Sequence, residues 1–262
     1  MITSAGNKRV RYVRSLYRRR TRHREERFLV EGVRLVSEAL EARTPPTLLF
    51  CTPEMAESGM GAHLLELADR KHVECCQVTR EIMELVADTT TPQGALAVVP
   101  FPRLPMPEER RLVLVLDGLR DPGNVGAVLR TAAAACADEV VTLPGTVDVY
   151  GPKVVRAGMG AHFRVPIRSC RASQEVPSEL EGMQVLVATA SAQQPYWEAD
   201  WGLPTALVLG SEAVGIGAST SRWATSAVAI PLARGVESLN VASAAAILLF
   251  EAVRQRSSEV QG

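Results

Sequence analysis

Between Val228 and Arg254 the sequence VAIPLARGVESLNVASAAAILLFEAVR sets two small polar side chains, Ser238 and Asn240, at the start of an apolar run. A hydroxyl and a carboxamide at a helix start can hold a polar ligand, because they donate and accept in short geometry beside unpaired backbone N–H groups. Two further clusters carry residues that could act with them. LDGLRDPGNVGAVLRTA, residues 116–132, contains Asn124 and Arg130; LVLGSEAVGIG, residues 207–217, contains Gly210 and Glu212. Arg130 offers a forked donor matched to phosphate, Asn124 a second carboxamide, and Glu212 a carboxylate between glycine-rich turns. Such a set can hold and orient a polar ligand, a phosphate among its groups.

These residues need elements that bring them together. Val228–Ile230 reads as the end of a buried strand stopped by Pro231, Gly235 permits unusual backbone angles, and Val241–Val253 reads as a helix for which Ser238 and Asn240 are both suitable caps. Upstream, LVLVL from Leu112 is a continuous apolar run, followed by a helix over Val125–Ala135 and strands at Val140–Leu143, Val185–Ala190 and Leu207–Leu209. Runs of this kind suit a parallel sheet covered on both faces, and pattern alone draws an ordinary open α/β sheet. The first part of the chain is a smaller α/β alternation. Helices are expected over 33–43, Ala62–Arg70 and Arg80–Val86, and strands at Leu48–Phe50, Val73–Val78 and Ala95–Val99. Four prolines between Pro100 and Pro107, with charge beside them, mark a linker. The boundary is set there, giving domains 1–105 and 106–262.

The formal net charge of zero, from 29 basic and 29 acidic residues, conceals an asymmetry. Residues 1–27 hold ten Lys or Arg against two Glu, a net of +8, which leaves −8 for the remainder. A local polycation implies a polyanionic partner. Within it Val10, Tyr12, Val13, Leu16 and Tyr17 form one apolar helical stripe, while Lys8, Arg9, Arg11, Arg14, Arg18, Arg19 and Arg20 are placed to meet the phosphates of a nucleic acid. A solvated helix or tail is the alternative. Lys153 and Arg156 are further candidates for RNA contacts, or a solvated face. His162 is read as structural. No apolar run reaches the ~18 residues of a membrane span, and no secretory signal follows the basic start, so a cytoplasmic protein is expected. The five cysteines form no C-x-x-C pair and share no ligand spacing with the four histidines, so neither disulfides nor a metal is expected.

In this order the three clusters resemble the three motifs of the SpoU (TrmH-like) family of RNA ribose 2′-O-methyltransferases, in the SPOUT superfamily. Asn124 and Arg130 stand in the first, Gly210 and Glu212 in the second, and Ser238 and Asn240 in the third. Two positions depart from the family pattern. Ala213 stands where glycine commonly follows the glutamate, and Ala242 where serine is common after the S-L-N-V core. The start of the chain, including FLVEG at residues 28–32, also resembles SpoU proteins with an added RNA-binding domain.

The resemblance implies a trefoil-knotted parallel-sheet methyltransferase domain preceded by a ribosomal-protein-L30-like domain that binds substrate RNA. It implies S-adenosylmethionine as cofactor, with Leu209, Gly210, Gly215, Ile230, Leu239 and Ala244 around it. Catalytic roles fall to Asn124, Arg130, Glu212, Ser238 and Asn240. Glu212 would orient the amide or arginine partners, or serve as a structural cap. A homodimer is implied, and rRNA of the 23S type as substrate; tRNA, or a non-catalytic RNA-binding role, are the alternatives. Retention of the whole polar set favours the enzyme. Other cofactors fit badly. DGLRDPGN is not G-x-G-x-x-G, and GSEAVGIG lacks the Lys-Ser/Thr of a phosphate loop.

Overall fold

The computed structural model describes residues 1–211 and 215–259. Two compact units emerge, one formed by Met1–Leu104 with Asp148–Phe163, the other by Pro105–Val147 with the chain from Arg164 onward. In the first unit the order is α1 (Lys8–Ser15), α2 (Arg19–Glu25), β1 (Arg27–Glu31), α3 (Val33–Glu41), β2 (Leu48–Cys51), α4 (Pro53–Glu57), α5 (Gly59–Arg70), β3 (Glu74–Gln77), α6 (Arg80–Val86) and β4 (Ala95–Pro100). Its sheet runs β1-β4-β2-β3, with β4 antiparallel to both neighbours and β2 parallel to β3. Thr52, Ser58 and Thr79 cap α4, α5 and α6, each accepting from a backbone N–H three residues on.

The basic N-terminal stretch folds as two short helices rather than one. The apolar stripe is nonetheless the reason they dock: Val10, Val13 and Leu16 are fully buried against Phe50, Ile82, Met83 and Val86. Lys8, Arg9, Arg11, Arg18, Arg19 and Arg20 are all exposed, with Arg9 paired to Glu74. Arg22 is different. It is buried, donating from Nε at 3.1 Å and Nη2 at 2.5 Å to Asp148 Oδ2, and from Nη1 to the carbonyls of Leu16 and Tyr17. A buried guanidinium persists only with such compensation. Burial raises the Asp148 carboxyl, but Arg22, aided by His23 at 3.0 Å, outweighs it and holds the group below the ordinary carboxylate range.

The second unit starts with β5 (Leu112–Asp117), α7 (Pro122–Ala134) and β6 (Glu139–Thr142), after a stretch from Phe101 to Arg111 without helix or strand. The chain then joins the first unit for Asp148–Phe163, which contains α8 (Pro152–Gly158). There Tyr150 stacks on Phe101, ring centroids 3.7 Å apart, and Arg156 pairs with Asp88 at 2.7 Å. His162 is buried against Phe28 and Tyr150, with Nε2 2.7 Å from the Val149 carbonyl, and burial lowers its pKa to about 4. It is a neutral packing residue. A fragment beginning near Pro105 would therefore strip Asp148–Phe163 of its packing partners.

From Arg164 the second unit resumes with β7 (Ile167–Ser169), β8 (Gln184–Ala188), β9 (Gln194–Pro195), β10 (Thr205–Gly210), α9 (Ala218–Ser221), β11 (Ser226–Ala229) and α10 (Val241–Glu259). The sheet order is β7-β6-β5-β10-β8-β11-β9, parallel throughout. Central strands β5, β6 and β10 are buried along nearly their whole length, which explains their unbroken apolar runs. Helix α10 continues six residues past Val253 because its end is anchored: Arg256 donates to the carbonyls of Trp201, Leu203 and Arg111, and Gln255 to that of Ala199. Among the described residues no helix is long and apolar enough to cross a membrane.

Candidate active site

Parallel strands point their C-terminal ends the same way, and β10, β8 and β11 are adjacent, so Gly210, Ala188 and Ala229 end side by side. A cavity of about 500 Å³ opens beyond these ends. Its walls come from Val187–Ala190, Leu209–Ser211, Gly215 and Ile216, Ile230, Ser238 and Leu239, and the first turns of α10 at Val241, Ala244 and Leu248. All six residues expected around the cofactor, Leu209, Gly210, Gly215, Ile230, Leu239 and Ala244, line this one space. The described lining carries no charged side chain; its polar groups are hydroxyls and backbone.

Local sequence explains how the walls are held. Gly210 lies so close to the returning loop that a Cβ there would meet the Gly215 carbonyl carbon at 2.4 Å. Ser211 and Gly215 exchange backbone hydrogen bonds of 2.9 and 2.8 Å, and Gly215 takes φ of 72°. Glu212 and Ala213 lie outside the described residues.

Beside the cavity, Asp121 begins α7 by accepting the Asn124 N–H at 2.7 Å, with Pro122 in the first turn, which is why the D-P-G-N string starts a helix. This places Asn124 one turn in, where its Oδ1 accepts from Asn240 Nδ2 at 2.8 Å. Asn240 is also the cap of α10: its Oδ1 takes the N–H groups of Ala242 at 2.9 Å and Ser243 at 3.4 Å. That commitment of the oxygen fixes which end of the amide faces Asn124. Ser238 does not share the capping role and stands in the cavity wall instead. Alanine at 242 leaves the cap intact, because only its backbone takes part.

Thus the structure joins Asn124 to Asn240 and sets Ser238 in the cavity. Arg130 lies farther along α7, exposed and outside the cavity lining. Sequence reasoning missed the β8 wall, Val187–Ala190, and the aspartates at 117 and 121; β8 belongs to none of the three motifs, and only its place beside β10 reveals it.

Residues 111–250 match the SpoU rRNA Methylase family, and residues 7–97 an MRM3-like substrate binding domain. The chain belongs to the SpoU family. A relative from Bacillus subtilis, a 23S rRNA (guanosine(2553)-2′-O)-methyltransferase, is 32% identical over 95% of this chain and 97% of its own. Among solved SpoU structures, the methyltransferase AviRb from Streptomyces viridochromogenes, in complex with AdoMet, superposes with a TM-score of 0.88 at 28% identity, over 96% of this chain and 99% of that one. A TrmH/SpoU tRNA modifying enzyme from A. aeolicus covers only 58% of this chain and 78% of its own, at a TM-score of 0.52 and 26% identity.

Proposed function

We propose that this SpoU protein methylates a ribose 2′-OH in 23S-type rRNA, using S-adenosylmethionine held in the cavity beyond β8, β10 and β11. The observation that carries the reading is the convergence of Leu209, Gly210, Gly215, Ile230, Leu239 and Ala244 on one cavity, whose described lining carries no charged side chain, beside the Asn124–Asn240 pair. Its volume falls in the range of small-molecule sites. Apolar walls with backbone and hydroxyl groups suit a ligand that is neutral at its adenosine end and brings no phosphate. When bound, S-adenosylmethionine supplies an electrophilic methyl group on a sulfonium. Asn124 and Asn240, mutually oriented, position the ribose hydroxyl, with Ser238 at the cavity edge and Glu212 as an orienting group. Arg130 meets the phosphate or the developing alkoxide.

rRNA is favoured over tRNA because the rRNA-acting relative matches along nearly the whole chain, substrate-binding region included, whereas the tRNA enzyme matches little more than half. The reading includes a cytoplasmic setting, where the ribosome is, and the trefoil knot and homodimer of the family resemblance. For the dimer, light scattering should give twice the chain mass of 28.3 kDa; the chain mass itself would contradict it.

The exposed arginines Arg18, Arg19 and Arg20 allow a test of RNA capture that leaves the core whole. Their joint replacement by alanine should weaken binding of a 23S-type rRNA fragment about tenfold and lower the slope of log affinity against log salt by about 2, since each phosphate contact contributes 0.7–0.9. Cofactor affinity should not move. Unchanged RNA affinity and slope would remove these arginines from the interface.

A further inference from the structure

Asp117 ends β5 directly opposite Gly210 in the β5–β10 register. Its Oδ2 accepts the Gly217 N–H at 2.8 Å. Gly217 immediately precedes α9, and a Cβ there would stand 3.2 Å from that same oxygen, tighter than most such contacts; glycine lets the carboxylate approach. The loop that leaves Gly210 is thus held twice. At its neck Ser211 and Gly215 exchange backbone hydrogen bonds, and at its far end Gly217 is tied to the neighbouring strand by Asp117. Ser211, Gly215 and Ile216, between these ties, form a wall of the cavity. Asp117 itself is not part of the lining.

We propose that Asp117 is a positioning residue that sets the wall of the cofactor cavity formed by Gly210, Ser211, Gly215 and Ile216, acting through the Gly217 amide. The inference rests on the reading of the cavity as an S-adenosylmethionine site. A carboxylate accepting a partly buried N–H makes a stronger bond than a neutral acceptor, and its removal leaves that N–H unpaired. The wall would then sample displaced positions, and the ligand it contacts would bind less tightly. Asp117 makes no contact with reacting groups in this account, so chemistry on the bound complex should be nearly unaffected.

Titration calorimetry with S-adenosylmethionine, together with steady-state kinetics on a 23S-type rRNA fragment, separates the possibilities. The wild type should bind. Asp117→Ala should raise both Kd and KM for S-adenosylmethionine about tenfold, with kcat at saturation within about twofold and RNA affinity unchanged. Asp117→Asn keeps an oxygen that can accept from Gly217 and should recover most of the loss; Asp117→Ser, too short to reach, serves if the alanine variant does not fold. The proposal is overturned if the truncated variants bind the cofactor like the wild type, if asparagine is as damaging as alanine, or if kcat falls with KM unchanged. Wild-type protein without affinity for S-adenosylmethionine would overturn the functional reading itself, whereas equal tight binding by wild type and variant overturns this inference alone.

Discussion

Replacing Arg130 with alanine is expected to lower kcat by about 10²-fold or more while leaving S-adenosylmethionine affinity near that of the wild type. The separation follows from position: Arg130 is exposed on α7, outside the lining of the cavity. A role as general base is physically difficult, because a protonated guanidinium has no acceptor for the incoming proton. Stabilising charge that grows on the reacting oxygen, or holding the adjacent phosphate, needs no such acceptor. Arg130→Lys should restore only part of the rate, since the charge returns without the fork. Single-turnover rates measured against pH check this directly. A log-linear rise through a pKa that vanishes specifically in Arg130→Lys would establish the base role and refute the electrostatic one.

Gly210→Ala should weaken S-adenosylmethionine binding by about 10- to 100-fold, the 1–3 kcal/mol typical of overpacking a site that cannot give. The added Cβ would lie 2.4 and 2.5 Å from the carbonyl carbon and oxygen of Gly215 and 2.6 Å from Ile216 Cγ1. Two of the three atoms are backbone, held by the Ser211–Gly215 hydrogen bonds, so the conflict cannot be relieved by turning one side chain. The loop must move, and it is the cavity wall. Calorimetry with the cofactor, paired with thermal melting, reads the effect. Wild-type affinity in a folded Gly210→Ala protein would mean that this wall does not touch the ligand.

Much of this architecture was legible in the sequence, for identifiable reasons. β5, β6 and β10 announce themselves because burial on both faces demands unbroken apolar runs; the body of α7 was legible from Val125 onward, but its first turn, begun by Asp121 and Pro122, was not. Strands β7 and β9, three and two residues long, leave no periodicity to read. The passage of Asp148–Phe163 into the first unit was hidden for a different reason: it depends on Arg22 meeting Asp148 across 126 residues, and an arginine in a basic stretch gives no sign that it is buried. In the site, Ser238 and Asn240 were both expected as caps, and only geometry separates the cap from the cavity residue. Family resemblance supplied the cofactor set; the parallel register of β8 beside β10 supplied the wall that no motif carries.

The central claim is methylation of a ribose 2′-OH in 23S-type rRNA. Mass spectrometry of nucleosides and oligonucleotides from 23S-type rRNA and from tRNA, in cells with and without the protein, tests it most directly. One 2′-O-methylated nucleotide of the rRNA should be absent without the protein and return with the wild-type chain but not with Arg130→Ala. An rRNA methylation pattern identical in both cells, or a lost methyl group found in tRNA instead, would contradict the account.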